Sequence, residues 1–267
     1  YEIPLRPVGS EMCIRDRFAS FGLVIIDEAH HWVAETLSKT LSRFPSRCVL
    51  GLTATPDRKD GLGFMLPYFF GPTAVRMKRR GQQVKVKIVK VPCGKAVEVI
   101  GRTGKPILAR TITMMTEDPH RNQRIVDMVV KLRQQGRYVL VMGARRKHLV
   151  VLQQMLSGVV TCTVGLYVGE STKKGIAKRN AEKESPILLC TVKMAEEGMD
   201  IPRLDSLLLV TPKSNIVQCV GRIQRTHPDK KVAPLVVDFY DTYCGGAVHG
   251  MARARRRWYE ENKFQII

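Results

Sequence analysis

The stretch Phe21-Gly-Leu-Val-Ile-Ile-Asp27-Glu28-Ala-His30-His31 decides how the chain is read. An apolar run reaches a turn, and two carboxylates and a histidine stand at its end. A run of this length bounded by polar residues predicts a buried strand of a parallel sheet. In open α/β sheets ligands bind outside the carboxyl ends of the strands, where Asp27 and Glu28 fall. A magnesium nucleotide needs such a pair, one carboxylate for the metal shell and one to orient a water. The competing reading is a buried strand that ends in a solvated turn. The stretch alone does not separate the two.

Outward from it, Cys48-Val-Leu-Gly-Leu-Thr53-Ala54-Thr55-Pro56 predicts a second buried strand closed by proline. Between the two, Ala34, Leu37 and Leu41 have helical spacing. An apolar segment at 65–70 ends in the break Gly71-Pro72. The pattern then changes. Lys78-Arg79-Arg80 is a basic run, and Val84, Val86, Ile88 and Val91 partly alternate with Lys85, Lys87 and Lys90. That alternation predicts a half-exposed strand with a basic outer face. From Asp118-Pro119 a helix is expected, with these two residues as start signals and Gly136 as its stop. Strands are expected at 138–142, 161–168, 186–191, 204–210 and 232–240, and helices at 147–156, 217–225 and 250–261. This alternation gives an α/β fold with a parallel sheet. No fixed-period repeat is present.

Charge is the outlier of the composition: 44 Lys+Arg against 24 Asp+Glu, formally +20 over 267 residues. So basic a chain predicts a polyanionic partner, nucleic acid before anionic membrane. No apolar run approaches the length of a membrane span, and no signal peptide is visible. The seven cysteines are scattered, without a Cys-x-x-Cys pair. That argues against a zinc site or disulfide framework and for a reducing cytosolic or nuclear setting. Cys162 and Cys190 read as small core residues.

Four motifs stand in one order: Asp27-Glu28-Ala29-His30, Thr53-Ala54-Thr55, Ala195-Glu-Glu-Gly198-Met-Asp200-Ile-Pro202 and Gln218-Cys-Val-Gly-Arg222-Ile-Gln-Arg225. Together they resemble motifs II, III, V and VI of superfamily-2 helicases. The phrases Leu50-Gly-Leu-Thr-Ala-Thr-Pro-Asp-Arg-Lys-Asp-Gly-Leu62 and Thr211-Pro-Lys-Ser-Asn-Ile-Val-Gln-Cys-Val-Gly-Arg-Ile-Gln-Arg225 are similar to XPB-like and large-DNA-virus or phage helicases. The resemblance covers about residues 20–267. It implies two RecA-like parallel-sheet domains, the first incomplete, and an ATP-dependent helicase or translocase that uses Mg²⁺.

By this resemblance Asp27 holds Mg²⁺ and Glu28 orients the attacking water. Arg222 and Arg225, three apart on one helical face, neutralise the γ-phosphate, and Gln218 meets the nucleotide or His30. Thr53 and Thr55 couple hydrolysis to movement, Gly198 allows close approach to the nucleotide, and Asp200 bonds the ribose. Thr191 contacts a nucleic-acid phosphate. Arg145 and His148 match a fourth family motif, Arg145 as a strand contact and His148 as a structural helix residue. DNA is favoured over RNA as partner only through the closer likeness. Arg253, Arg255, Arg256 and Arg257, with Trp258 and Tyr259 beside them, are a further nucleic-acid candidate. A solvated terminal helix is the alternative there. Nothing in the residues specifies an oligomeric state.

The division expected is 18–72 for the C-terminal part of the first domain, 73–118 for an inter-domain connection and 119–267 for the second domain. Residues 8–17, Val-Gly-Ser-Glu-Met-Cys-Ile-Arg-Asp-Arg, resemble a translated transposase mosaic-end sequencing adapter. They set 1–17 aside as an artefact and put the start of natural sequence near Phe18. The phosphate loop Gly-x-x-x-x-Gly-Lys-Ser/Thr occurs nowhere in the chain. Gly101-Arg-Thr-Gly104-Lys105-Pro106 lacks the hydroxyl, and Pro106 removes an N–H. The chain by itself is therefore expected to hydrolyse little ATP. Two other classes stay open: a non-catalytic nucleic-acid-binding module, and a double-strand DNA translocase that does not separate strands.

Overall fold

The computed structural model describes residues 21–33, 35–41, 46–54, 56, 61–77, 83–92, 99–196 and 199–267. The adapter-like stretch, Ala34 and the basic run at 78–80 lie outside them. The chain divides into two compact units, 1–79 and 80–267.

In the first unit β1 (Leu23–Ile26) leads into a short helix α1 (Ala29–Trp32), followed by α2 (Glu35–Leu41) and β2 (Cys48–Gly51). A 3₁₀ turn then opens α3 (Leu66–Phe70), and Gly71 ends it at φ 77°. β1 and β2 pair in parallel, Leu23 opposite Cys48 and Ile26 opposite Gly51. The expected pairing is therefore present, but the expected burial on both faces is not. Successive side chains alternate between faces. Ile26 is buried, and Gly51 lies so close under Phe70 that a Cβ would stand 2.8 Å from its ring. On the other face Leu23 and Ile25 are 51% and 57% exposed, and Leu50 and Leu52 are exposed as well. Among the described residues no layer covers that face.

The second unit is one seven-stranded sheet in which every pairing is parallel. Its strands are β3 (Lys85–Val91), β4 (Val139–Gly143), β5 (Val164–Tyr167), β6 (Ile187–Thr191), β7 (Ser206–Leu209), β8 (Leu235–Asp241) and β9 (Gln265–Ile266). They lie in the order β5-β6-β4-β7-β8-β3-β9. The helices are α4 (Leu108–Glu117), α5 (Pro119–Gln134), α6 (Arg146–Ser157), α7 (Lys173–Ala181), α8 (Val192–Glu196), α9 (Val217–Ile223) and α10 (Gly246–Glu261). The basic strand expected at 84–91 is β3, seated between β8 and β9. It buries Val84, Val86 and Val91 and exposes Lys85 and Lys90. Sequence patterning did not show α4, α7 or β9.

Parallel strands covered on both faces read as continuous apolar runs, and β4, β6 and β7 are buried almost throughout. One core joins Leu140, Met142, Leu188, Cys190, Leu207 and Val236 to α9 and to Tyr259 of α10. The opposite core joins Val139, Val141, Ile187, Leu208 and Val237 to α5 and α6. The α5 boundaries follow their expected signals. Asp118 accepts from the N–H groups of His120 and Arg121, and Gly136 takes φ 76° just past the helix.

Each core is crossed by a buried ion pair anchored on β8. Asp238 faces α10, where Arg255 Nε and Nη2 donate to its two oxygens at 2.8 Å each and Tyr259 Oη donates at 3.0 Å. Burial, with Asp238 beside it, pushes the Tyr259 phenol up from its ordinary pKa. Asp241 faces α5 and takes Arg121 Nε at 2.7 Å and Nη2 at 3.2 Å. Arg255→Met leaves Asp238 a buried carboxylate without its cation. We expect it to lower unfolding stability by about 3–5 kcal/mol in urea, and the double variant Arg255→Met with Asp238→Leu to lose less.

Candidate functional site

In the first unit the residues singled out from sequence converge at the carboxyl ends of β1 and β2. Ala29 N donates to Leu52 O, and Leu52 N to Ile26 O, both at 2.8 Å, so the two strand ends are laced together. Between them Glu28 takes φ 49°, ψ 44°, a left-handed conformation that costs a non-glycine residue about 1–2 kcal/mol. Such strain persists where surrounding structure over-determines it, often at functional positions. Glu28 N donates to Asp27 Oδ1 at 2.8 Å. His30 Nδ1 shares a hydrogen bond of 2.8 Å with Thr53 Oγ1 and stands 3.3 Å from Glu28 Oε2. Asp27, Glu28, His30 and Thr53 therefore form one group, while Thr55 lies outside the described residues.

Asp27 is exposed. One of its lone-pair sites takes the Glu28 N–H, and a carboxylate offers about four. Among the described residues no cluster of three or more His, Cys, Asp or Glu could cage a metal. This donor set fits Mg²⁺, which keeps several waters and binds through one or two carboxylates plus phosphate oxygens.

In the second unit the candidates also gather beyond strand ends. Thr191 closes β6 and is half-buried, and Arg222 Nε donates to Ala195 O at 3.0 Å. Arg225 Nη1 pairs with Asp200 Oδ1, so two residues from separate motifs meet. Gln218 and Arg222 lie four apart on α9. Arg225 does not share their helix as the 217–225 reading required: α9 ends at Ile223, and Arg225 sits in the turn after it. Gly198 lies outside the described residues. Arg145 directly precedes α6, and its Nη2 donates to Ala109 O of α4 at 2.9 Å. The Gly101–Pro106 fragment forms a tight turn, with Gly101 N bonded to Lys105 O at 2.8 Å and Gly104 at φ 71°.

The terminal helix corrects the nucleic-acid candidate. Arg255 is 3% exposed and spent on Asp238, Tyr259 is fully buried, and Trp258 packs edge-on against Phe264. These residues are core because α10 turns that stripe toward β8. Arg253 and Arg257 remain exposed, and Arg256 pairs with Glu260 at 3.0 Å.

Two polar residues escaped the sequence reading. Thr211 Oγ1 accepts from Ala144 N at 2.9 Å and ties together the loops after β4 and β7. Lys230 Nζ donates to the carbonyls of Ile223 and Arg225 at 2.9 and 2.5 Å. Thr211 opens the phrase that carries the family resemblance but has no assigned role there, and Lys230 belongs to no motif or periodic pattern.

His148 is structural, as expected. Asn122 Nδ2 donates to Thr116 O at 3.0 Å, which leaves Asn122 Oδ1 to accept from His148 Nε2 at 2.8 Å. His148 Nδ1 is buried with no partner, so protonation there gains nothing. Burial, reinforced by the Arg121 charge, lowers its pKa to about 3. The group is neutral in the fold and has an ordinary value of 6.5 when unfolded. Its contribution is complete above pH 6.5 and is lost as pH falls from 6.5 toward about 3, by at most ~1.4 kcal/mol per pH unit. Urea titrations across that range should show a slope that His148→Gln reduces.

Residues 11–58 match the family described as type III restriction enzyme, res subunit. Protein L396 of Acanthamoeba polyphaga mimivirus, whose name assigns it as an ATP-dependent RNA helicase, is 29% identical over 93% of this chain and 49% of its own length. Helicase D10 of Escherichia phage T5 is 27% identical over 92% of this chain and 54% of its own. The chain thus spans about half the length of the curated relatives it matches. Among solved structures, a fragment of an HsdR subunit of a type I restriction enzyme from Vibrio vulnificus superposes with TM-score 0.62 at 20% identity. It covers 91% of this chain and 47% of that one. The likeness is one of fold, an α/β architecture with parallel sheets as in RecA-like domains.

Proposed function

We infer that this homologue of viral and phage superfamily-2 helicases is part of an ATP-dependent nucleic-acid helicase or translocase, with DNA favoured over RNA as its track. The observation that carries the reading is the placement of four separated motifs at carboxyl ends of parallel strands. Asp27, Glu28, His30 and Thr53 are joined in one unit, and Asp200, Arg222 and Arg225 gather in the other. Ligands bind at such strand ends. The formal charge of +20 supplies a sequence-independent, salt-dependent attraction for the phosphates of a nucleic acid.

Phosphoryl transfer is mostly positioning and charge neutralisation. In this reading each motif residue has a part in serving a nucleotide. Asp27 would hold Mg²⁺, which when bound would supply charge neutralisation at the phosphates. Glu28, pre-set by its left-handed backbone, orients the attacking water. His30 and Thr53 relay the state of that site to the end of β2, with Thr55 beside them in sequence. Arg222 and Arg225 neutralise the transferring phosphoryl group, Arg225 exchanging its Asp200 partner for phosphate. Asp200 then serves the ribose, Gly198 admits the nucleotide, and Gln218 meets the nucleotide. Thr191 and Arg145 hold strand phosphates. The scattered cysteines, without a Cys-x-x-Cys pair, suit a reducing cytosolic or nuclear setting, and the relatives are viral and phage proteins. No described helix is long and apolar enough to cross a membrane.

Because the 267 residues hold no phosphate loop, this chain by itself should bind ATP weakly and show little turnover. Robust hydrolysis by the isolated chain sinks that part. In the gene product joined to such a loop, Arg222→Ala should lower kcat by about 10³ or more. If flanking genomic sequence holds no Gly-Lys-Thr or Gly-Lys-Ser, the non-catalytic module becomes the better reading. Strand-displacement and triplex-displacement assays run side by side separate a helicase from a double-strand translocase. Single-stranded oligonucleotides should bind with affinity that falls linearly in log salt, and Arg145→Ala should reduce that slope by about one. RNA of the same sequence is the comparison arm.

A further inference from the structure

We propose that Lys230 is the positioning residue for Arg225, fixing the backbone from which that guanidinium projects. The inference rests on the reading of Arg225 as a phosphoryl-neutralising arginine.

Arg225 stands in a turn after α9, so helical hydrogen bonding does not set its direction. The last carbonyls of a helix have no intrahelical donor. Lys230 Nζ supplies one to Ile223 O at 2.9 Å and bonds Arg225 O at 2.5 Å. One ammonium therefore grips the final carbonyl of α9 and the carbonyl of the arginine itself. A cation also suits the negative end of the helix. The lysine is anchored locally: its own N–H donates to His227 O at 3.0 Å, and Asp229 N donates to His227 Nδ1 at 3.2 Å. Its head is partly withdrawn from water. Burial lowers its pKa to about 8, with Arg225 adding to the fall and Asp205 opposing it.

Arg225 is thus held twice, at its backbone by Lys230 and at its guanidinium by Asp200. The second hold is weak. Asp200 is 69% exposed, and exposed ion pairs contribute little. It is also the contact that a phosphate would replace. Once it is exchanged, Lys230 is the remaining tether described for Arg225. That separates positioning from chemistry: Lys230 spends its donors on carbonyls, and the phosphate is left to Arg225.

The test uses the 267-residue chain labelled with ¹⁵N, reading the Nε–H signals of Arg222, Arg225 and Arg255 at low temperature. In Lys230→Met the Arg225 signal should move toward that of a solvated arginine and exchange with water at least tenfold faster. Arg255, locked on Asp238, should stay in place. Lys230→Arg, which keeps a charged donor, should recover at least half of the change. Should Lys230→Met fail to fold, Lys230→Ala, which also removes the donor, gives the same reading. An unmoved Arg225 signal overturns the proposal. So does an equal shift of Arg225 and Arg255, which would mean general loosening. The readout is the surroundings of Arg225, so its failure is distinct from failure of the nucleotide reading, which rests on turnover by a chain that carries a phosphate loop.

Discussion

Strand β8 holds the larger unit together because it carries two buried carboxylates that each demand a cation. Asp238 and Asp241 lie three residues apart and so face opposite sides of the sheet. Arg255 of α10 answers one and Arg121 of α5 the other. Each ion, desolvated, would be costly alone, which makes the register of each helix on the sheet specific rather than merely apolar. The effect reaches the candidate site. Arg255 Nη1 also donates to Lys213 O at 2.6 Å, in the segment that runs from β7 into α9. The helix bearing Gln218 and Arg222 is therefore fed from a segment pinned by the same guanidinium.

Parallel strands then decide where chemistry can occur. Every chain direction in the sheet agrees, so all the loops that follow strands emerge on one edge. Thr191, Arg145 and the segment leading to Gln218 and Arg222 leave β6, β4 and β7 there. The same logic holds in the smaller unit, where β1 and β2 end beside one another and bring Glu28, His30 and Thr53 into hydrogen-bond distance. In both units backbone interactions hold these residues. In one, the Ala29 and Leu52 bonds secure a left-handed Glu28. In the other, Lys230 secures the turn after α9.

Much of this was legible in the chain. The apolar runs gave β4, β6 and β7, because strands buried on both faces leave no polar alternation to confuse them. Asp118, Pro119 and Gly136 marked α5 through backbone chemistry that does not depend on tertiary context. What failed to show had a consistent cause. α7 is charged and has no buried residue, so it has no apolar stripe to find. Arg255 and Tyr259 look like neighbours of Arg253 and Arg257 in a basic helix, yet the helical period turns the first pair inward and the second out. Leu23 and Ile25 read as core by composition, but the face they share has no covering layer among the described residues.

By itself the sequence determined the residue types and their order: carboxylates after one apolar run, hydroxyls after another, and glutamine and arginines late in the chain. It also determined the parallel α/β class, since apolar periodicity and turn chemistry are local properties. Only the tertiary structure decided which charges are spent internally and which face outward. It set Arg255 on Asp238, Arg225 on Asp200 just beyond its helix, and Lys230 on two carbonyls. Partners such as Arg121 and Asp241 lie 120 residues apart. Desolvation makes that pairing obligatory, and no local pattern encodes it.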